Sequence, residues 1–279
     1  MISVPFFLDG TAGALFAVHH RPDDGVPQRG HVLVVPPFNE EMNRCRSMLT
    51  LLAHALSDLG MGMLVLDLFG TGDSHGDYVD ARWSHWLADL DTGRRWLEAQ
   101  PGGCRALLGV RLGAILAAQW LSAVNDPRIA LALWQPVTDG KTHLTQFMRV
   151  RIAAHMDRSD LPKETTTSMR AQLAAGQPVE IAGYELHPEL TQAIDGAALG
   201  AHALPAGTRL LWLEHVAAAG DEISPASRQL LANWPGPGMD THVRTFEGPA
   251  FWQVHERLVA PQAVERTCAW FQQLSEASR

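Results

Sequence analysis

The residue of this sequence with the clearest chemical potential is an arginine, Arg111, that stands between two glycines. The stretch from Arg105 to Trp120 is typical of a short buried strand, a sharp turn bounded by Gly109 and Gly113, and a buried helix. This is the layout of a nucleophile elbow, G-x-S-x-G, whose middle residue is exposed on the turn. Small residues are needed there, because bulk clashes across the bend. Arg111 therefore stands where a nucleophilic serine is expected.

An arginine in this position permits different chemistry from a serine. A guanidinium stays protonated and cannot attack a carbonyl, so acyl-enzyme formation at Arg111 is excluded. Its forked donors match a carboxylate or a phosphate, and the N-terminus of the following helix adds to the attraction. We therefore expect Arg111 to anchor a small acidic or acyl ligand. The alternative is a buried ion pair with Glu40 or Glu41, because buried arginines are normally paired.

The loop after the first core strand is predicted to form the opposite side of this site. Pro36 and Pro37 have no N–H, so a backbone donor for a bound oxyanion comes from Phe38 or a later residue. The N–H of Leu112, directly after the elbow position, would be its partner. The predicted ligand-binding residues are Phe38, Asn39, Glu40, Glu41, Arg111 and Leu112.

The other two members of a catalytic triad are expected in the loops after later strands. Acids are available after the strand predicted at Arg209–Glu214, where Asp221 is better placed by loop position than Glu214 or Glu222. The loop after His242–Glu247 should carry the histidine, but no histidine stands at the expected place. The triad is therefore predicted to be degenerate.

Catalysis with a different reagent stays open as a second hypothesis. His242 begins the last strand and His255 lies further along, predicted on the last helix, so neither is a strong base. Ser74, Cys45 or an activated water are the alternative nucleophiles, with either glutamate of the first loop as the base. Asp73 and Ser74 are also suited to a turn and a helix cap, which is the simpler interpretation.

Eight apolar runs of strand length occur along the chain; the first two read as a hairpin, and helical stretches separate the six that follow. The runs are Val4–Leu8, Ala14–His19, His31–Val35, Met63–Phe69, Ala106–Val110, Ile129–Trp134, Arg209–Glu214 and His242–Glu247. Continuous apolar runs are typical of strands covered on both faces, and alternation with helices gives right-handed crossovers. We therefore predict an α/β fold with a doubly wound, mostly parallel sheet, preceded by an antiparallel hairpin.

One stretch interrupts this alternation and is predicted to be a separate unit. Residues 138–204 contain helical patches and a short run from Pro178 to Tyr184, and are too long for a connecting loop. We predict a core of residues 1–137 and 205–279 with 138–204 inserted as a helical cap, because insertions in such sheets lie near the ligand-binding strand ends. Phe147–Ile152 would give the cap an apolar and basic lining. The alternative is a pair of extra packing helices.

Composition excludes several classes of function. The 279 residues carry a net charge of -8, which argues against a nucleic-acid partner. The run from Gly70 to Asp77 lacks the third glycine of a dinucleotide fingerprint, and we expect no cofactor and no metal site. The three cysteines have no C-x-x-C spacing, and neither a signal peptide nor a transmembrane segment is expected, so the predicted location is cytoplasmic.

These residues together resemble the α/β-hydrolase superfamily over essentially the whole chain. More narrowly, the sequence resembles the exosortase A system-associated hydrolase 2 group through Pro36–Arg44, Gly109–Ala114 and Gly183–Leu186. The resemblance implies an α/β-hydrolase fold and a cytoplasmic accessory protein of exopolysaccharide or surface-polymer export. It does not imply a reaction, since a fold hosts many functions. A non-catalytic module that docks on a protein partner of the export machinery is therefore a third hypothesis.

Overall fold

Ten strands are present in the computed structural model, which describes residues 1–156, 163–234, 236, 238–254 and 256–276. They are β1 (Ile2–Asp9), β2 (Ala14–Arg21), β3 (Gly30–Val35), β4 (Met61–Leu66), β5 (Cys104–Val110), β6 (Ala130–Trp134), β7 (Val179–Ile181), β8 (Tyr184–Leu186), β9 (Arg209–His215) and β10 (Asp240–Phe246). Eight of them form one sheet in the order β1-β2-β4-β3-β5-β6-β9-β10. The pairs β1–β2 and β2–β4 are antiparallel, and the other pairs of this sheet are parallel.

Helices cover both faces of the sheet. They are α1 (Glu40–Asp58), α2 (Trp83–Glu98), α3 (Gly113–Val124), α4 (Gly140–His155), α5 (Thr166–Ala174), α6 (Pro188–Gly196), α7 (Pro225–Asn233) and α8 (Pro261–Glu276). Because side chains alternate along a strand, Val32 and Val34 of β3 pack towards α1 and α8, whereas Leu33 and Val35 pack towards α2 and α3. The doubly wound, mostly parallel sheet predicted from the sequence is confirmed.

All eight predicted runs overlap strands of the main sheet, and their bounds agree within two residues except at the end of one run. The run predicted as Met63–Phe69 is the strand Met61–Leu66. The chain turns after it, because the carbonyl of Leu68 accepts hydrogen bonds from both the N–H and the hydroxyl of Thr71. Leu68 and Phe69 are apolar because this turn is buried in the core, and not because they extend the strand.

Residues 138–204 contain α4, α5, a two-stranded hairpin (β7 and β8) and α6. The segment leaves and rejoins the main sheet at one place, since Gly140 N–H donates to Ala197 and Leu199 N–H donates to Thr138. Its buried side chains, among them Leu144 and Ile181, belong to the same core as α2 and α3. The segment therefore packs on the α2/α3 face of the sheet.

No covalent or metal crosslink is seen in the described part of the chain. The thiols of Cys45, Cys104 and Cys268 are free. The described residues include no cluster of three or more potential ligands for a metal ion. None of the described helices combines the length and apolar character needed to cross a membrane.

The turn from β5 to α3 leaves no room for side chains at its two glycines. A Cβ atom on Gly109 would lie 2.7 Å from the Cα of Ala114. A Cβ atom on Gly113 would press against the backbone carbonyl oxygens of Val35 and Pro36. Since backbone atoms cannot rotate away, both positions require glycine.

We expect Gly113→Ala to lower the free energy of unfolding by roughly 1–3 kcal/mol, because the new methyl group forces apart the backbones of β3 and α3. The matched control is Gly196→Ala at the end of α6, where an added Cβ meets open space. Urea unfolding of the two variants and the parent measures the difference. An unchanged midpoint in Gly113→Ala would show that the turn is not as tight as described.

Two buried histidines lie against each other between the sheet and α2. The rings of His19 and His31 are 5.1 Å apart, and the ring of His19 also contacts that of Trp96 at 4.9 Å. Burial, followed by the proximity of His31, lowers the pKa of His19 to about 4, and burial lowers the pKa of His31 as well. Both rings are therefore neutral at pH 7 in the folded protein.

We expect the protein to lose stability as the pH falls from about 6.5 to 4. Over this range the unfolded chain takes up a proton on His19 that the folded chain does not, which is worth about 3 kcal/mol for this group. Urea unfolding at pH 7.5, 5.5 and 4.5 tests this. His19→Leu should flatten the dependence, whereas His75→Gln, at an exposed position, should not. Equal slopes in all three proteins would contradict the prediction.

Candidate functional site

Arg111 lies on the turn between β5 and α3 in a left-handed backbone conformation, with φ of +53°. Such a conformation costs energy for a residue with a side chain and persists only where the surroundings hold it. Here the N–H of Arg111 donates to the carbonyl of Trp134 at 3.0 Å, and its carbonyl accepts from Val137 N–H at 3.1 Å. The end of β6 therefore fixes the turn from both sides.

The guanidinium of Arg111 is held by three neighbours. Its Nε donates to Oε1 of Glu41 at 3.1 Å, and its Nη1 donates to the backbone carbonyl of Gln135 at 3.1 Å. Its central carbon lies 5.3 Å from the centre of the Trp252 ring, in a cation–π contact. Glu40 does not take part and instead pairs with Arg44 one helical turn away. Of the two predicted ion-pair partners, Glu41 is thus the one used.

This ion pair is largely buried, with 14% of the Arg111 and 15% of the Glu41 side chain exposed. Burial raises the pKa of Glu41, an effect that the nearby Arg111 opposes without cancelling. Oε2 of Glu41 is buried and has no hydrogen-bond partner among the described residues. Burial and the charge of Arg111 together lower the pKa of His143 to about 3, so this neighbouring imidazole is neutral.

A cavity of about 490 Å³ borders the ion pair. One wall is polar and contains Glu40, Glu41, Arg44 and Arg111. The opposite wall comes from α4, where Phe147 and Val150 are the apolar lining residues. The prediction of a basic lining from this helix is wrong, because Arg151 turns away to pair with Glu164 at 2.7 Å. The positive charges of the cavity belong to the core instead.

A second, smaller cavity of about 200 Å³ lies on the other side of Phe38, which lines both. It is apolar, and its lining includes Leu112, Asn39 and the ring of Tyr184 from the β7–β8 hairpin. The hydroxyl of Tyr78 donates to Oδ1 of Asn39 at the edge of this cavity, and burial raises the pKa of Tyr78 well above its usual value.

The six predicted ligand-binding residues are therefore divided between two cavities. Glu40, Glu41 and Arg111 line the polar one, Asn39 and Leu112 line the apolar one, and Phe38 separates them.

The acids considered for a triad have structural partners elsewhere. Asp221 is exposed, and its carboxylate accepts the N–H of Ala218 at 3.0 Å within its own loop. Glu214 is buried and accepts from the Trp212 indole and the Ser224 N–H, each at 2.8 Å. The structure thus does not bring Asp221 to the cavity beside Arg111, because its loop folds back on itself. Glu222, the third acid considered, pairs with Arg228.

The histidines considered as bases do not complete a triad either. His242 pairs with Asp240 at 2.9 Å at the start of β10, which is the far end of the strand from the ligand-binding loops. His255 lies outside the described residues. In the loop after β10 it is Trp252 that faces Arg111.

The alternative nucleophiles are also engaged or shielded. The hydroxyl of Ser74 donates to the Asp67 carbonyl and accepts the Phe16 N–H at 2.8 Å, so it joins its own loop to β2 and to the residue after β4. It does not cap the next helix, which begins only at Trp83. Cys45 is fully buried, and burial raises the pKa of its thiol. Neither group is poised for attack.

Sequence reasoning missed Gln135 and Trp252, which orient Arg111. Gln135 directly follows β6, with φ of +42°, and its side-chain oxygen accepts the His215 N–H at 2.6 Å. Its position at the carboxyl end of a strand was a usable signal, because ligand sites gather there. Trp252 gave no such signal, since its neighbours in the sequence do not distinguish it from a tryptophan of the hydrophobic core.

No protein-family model and no curated protein sequence matches this chain. Several solved structures are similar to it. Est1E from Butyrivibrio proteoclasticus, in a structure with bound ferulic acid, is 13% identical with a TM-score of 0.66, over 96% of this chain and 98% of that one. A hypothetical protein from Pseudomonas aeruginosa is 13% identical with a TM-score of 0.67, over 98% and 93%.

A third similar structure comes from Xanthomonas campestris and is described as an α/β serine hydrolase without a lid. It is 15% identical with a TM-score of 0.53, over 97% of this chain and 92% of that one. At such identities the likeness concerns the fold and not the reaction. Together with the strand order of the main sheet, these similarities show that the chain has the α/β-hydrolase fold.

Proposed function

We propose that this protein binds a small acidic or acyl molecule, with Arg111 as the anchor at the position where the fold carries a nucleophile. The observation that supports this most is the state of the guanidinium. Two of its nitrogens are fixed by Glu41 and Gln135, while Nη2 makes no hydrogen bond within the described part of the chain. The group borders the cavity of about 490 Å³ with this edge still able to donate.

The partial engagement of Glu41 supports a ligand in addition to the ion pair. Only one oxygen of Glu41 accepts a hydrogen bond from Arg111, and from only one of its nitrogens. In a bidentate pair, two guanidinium nitrogens would donate to the two carboxylate oxygens. A second cation, Arg44, lines the same cavity, and the neighbouring imidazole of His143 is neutral. The polar wall thus suits an anionic head group, and the apolar wall of Phe147 suits a short chain attached to it.

Residues 138–204 have the role of a cap in this proposal. Helix α4 lines the cavity beside Arg111, and Tyr184 of the β7–β8 hairpin lines the apolar one. A ligand in either cavity would therefore be held between the core and this segment. The N–H groups of Phe38 and Leu112 are the proposed donors to a carbonyl oxygen of the ligand.

A second candidate function is hydrolysis in which Glu41 activates a water molecule. Its buried carboxylate has a raised pKa and an oxygen without a partner in the described residues, which are properties of a general base. Protonation of Glu41 would, however, leave the buried charge of Arg111 uncompensated, which opposes a role as general base. Binding therefore ranks before turnover.

The resemblance to the exosortase-associated group adds a setting to this proposal. A protein that binds an acidic or acyl molecule without a serine nucleophile would act beside an export system as a carrier or a sensor of such a molecule. Docking on a protein of that system belongs to the same proposal.

We expect Arg111→Met to abolish the thermal stabilisation that carboxylates or phosphomonoesters give the parent, because the anchoring charge is lost. The matched control is Arg149→Met, which removes an equal charge from an exposed position on α4. Glu41→Gln should instead strengthen anion binding severalfold, since the competing negative charge disappears while the arginine remains. A thermal-shift screen over medium-chain carboxylates, dicarboxylates and phosphomonoesters measures all four proteins.

Two outcomes of that screen contradict the proposal. One is an unchanged ligand response in Arg111→Met. The other is weaker anion binding in Glu41→Gln, which would give the pair a purely structural role. The double variant Arg111→Met/Glu41→Gln leaves no unpaired buried charge and separates lost binding from lost folding.

We expect the purified protein neither to react with a fluorophosphonate probe nor to hydrolyse short- and medium-chain nitrophenyl esters, because Arg111 offers no nucleophile. Intact-protein mass spectrometry measures labelling by the probe, and the absorbance of released nitrophenol measures ester hydrolysis. Stoichiometric labelling of one serine would overturn the assignment of the site. Ester turnover that is lost in both Glu41→Gln and Arg111→Met would favour the second candidate, hydrolysis by an activated water.

A further inference from the structure

The apolar cavity beside Phe38 contains a polar group that the binding of an anion at Arg111 does not use. Asn39 is only 6% exposed and lines this cavity. Its side-chain nitrogen, Nδ2, is buried and has no hydrogen-bond partner among the described residues. An unpaired buried donor is costly, so its position at a cavity requires an explanation.

The local structure keeps this amide directed away from its usual partner. Asn39 precedes α1, where an asparagine normally accepts an N–H of the first helical turn, yet its side chain makes no such bond. Oδ1 instead accepts the hydroxyl of Tyr78, and the backbone of Asn39 has a positive φ of +51°. With Oδ1 occupied, the amide presents Nδ2 as a donor.

Five aromatic side chains contribute to the walls of the cavity. Phe38, Trp83, Trp86, Tyr78 and Tyr184 all line it. Several of these rings already meet edge to face, with centroids 6.4 Å apart for Phe38 and Trp86 and 5.1 Å apart for Tyr78 and Tyr184. A further aromatic ring can join such an arrangement favourably. An apolar cavity of about 150 Å³ is known to admit benzene, and this one measures about 200 Å³.

We infer that this cavity is a second binding site, for an uncharged aromatic group that carries a hydrogen-bond acceptor directed at Nδ2 of Asn39. The ring fills the apolar cavity, and an acceptor such as a carbonyl oxygen accepts a hydrogen bond from Nδ2 of Asn39. The charge of Arg111 is not needed, because that residue lines the other cavity. The site therefore stands independently of the anion-binding proposal.

Three uncharged probes of similar size test the two parts of this inference. Acetophenone has the ring and the acceptor, ethylbenzene has the ring alone, and cyclohexyl methyl ketone has the acceptor alone. We expect acetophenone to bind about tenfold more tightly than ethylbenzene, since one hydrogen bond to an unpaired buried donor is gained. We expect it to bind severalfold more tightly than the cyclohexyl ketone, since ring contacts are gained.

Titrations followed by NMR give a direct measurement in the parent protein. Acetophenone should shift the side-chain amide resonances of Asn39, and ethylbenzene should not. Asn39→Asp retains an acceptor for Tyr78 but loses the donor, and should weaken acetophenone binding about tenfold with little effect on ethylbenzene. Leu116→Phe, at a buried lining position, fills the cavity and should prevent binding of all three probes.

Each result decides one part of the inference. Equal affinity for acetophenone and ethylbenzene would overturn the role of Asn39, and equal affinity for the two ketones would overturn the preference for an aromatic ring. Unimpaired binding in Leu116→Phe would place the site elsewhere. Arg111→Met should bind acetophenone like the parent, so a failure of the anion-binding proposal leaves this test intact.

Discussion

A positive charge on a strained, buried turn is the constraint on which the rest of the site depends. Arg111 cannot lose its proton, so the interior of the protein must compensate its charge. Glu41 does this from the first turn of α1, and the cation–π contact with Trp252 and the carbonyl of Gln135 complete the surroundings. The guanidinium thereby ties together the elbow, α1, the end of β6 and the loop after β10, four elements that are distant in the sequence.

The ion pair between Arg111 and Glu41 also bears on the positions of the two cavities. Glu41 lies two residues after Asn39, so the ion pair that fixes the start of α1 also fixes the loop before it. Phe38, in that loop, is the wall between the polar cavity at Arg111 and the apolar cavity at Asn39. Arg111 itself lines only the polar cavity, so its side chain forms no wall of the other one.

Much of the fold could be predicted because strands covered on both faces are apolar throughout, and the glycines of the elbow are required by backbone contacts at Gly109 and Gly113. Which of Glu40 and Glu41 pairs with Arg111 could not be predicted. Consecutive residues on a helix point about 100° apart, so the choice depends on where α1 begins and how it is rotated. Asp221 fitted the order of loops, but its carboxylate closes its own turn. Trp252 reaches Arg111 only through the packing of the last loop, which no local pattern encodes.

The consequence for function follows from what the fold retains and what it lacks. The elbow presents its central residue to a cavity that α4 of residues 138–204 also lines, which is the arrangement that the proposed binding requires. A serine in that place would form and break a covalent bond, whereas a guanidinium can only attract and orient. Since Glu41 pairs with Arg111 and Glu40 pairs with Arg44, the proposed anionic ligand would be held by the free edge of the Arg111 guanidinium and not by a large excess of positive charge. Such a site would favour reversible binding, because the proposed ligand would compete with the carboxylate of Glu41, which stays in place.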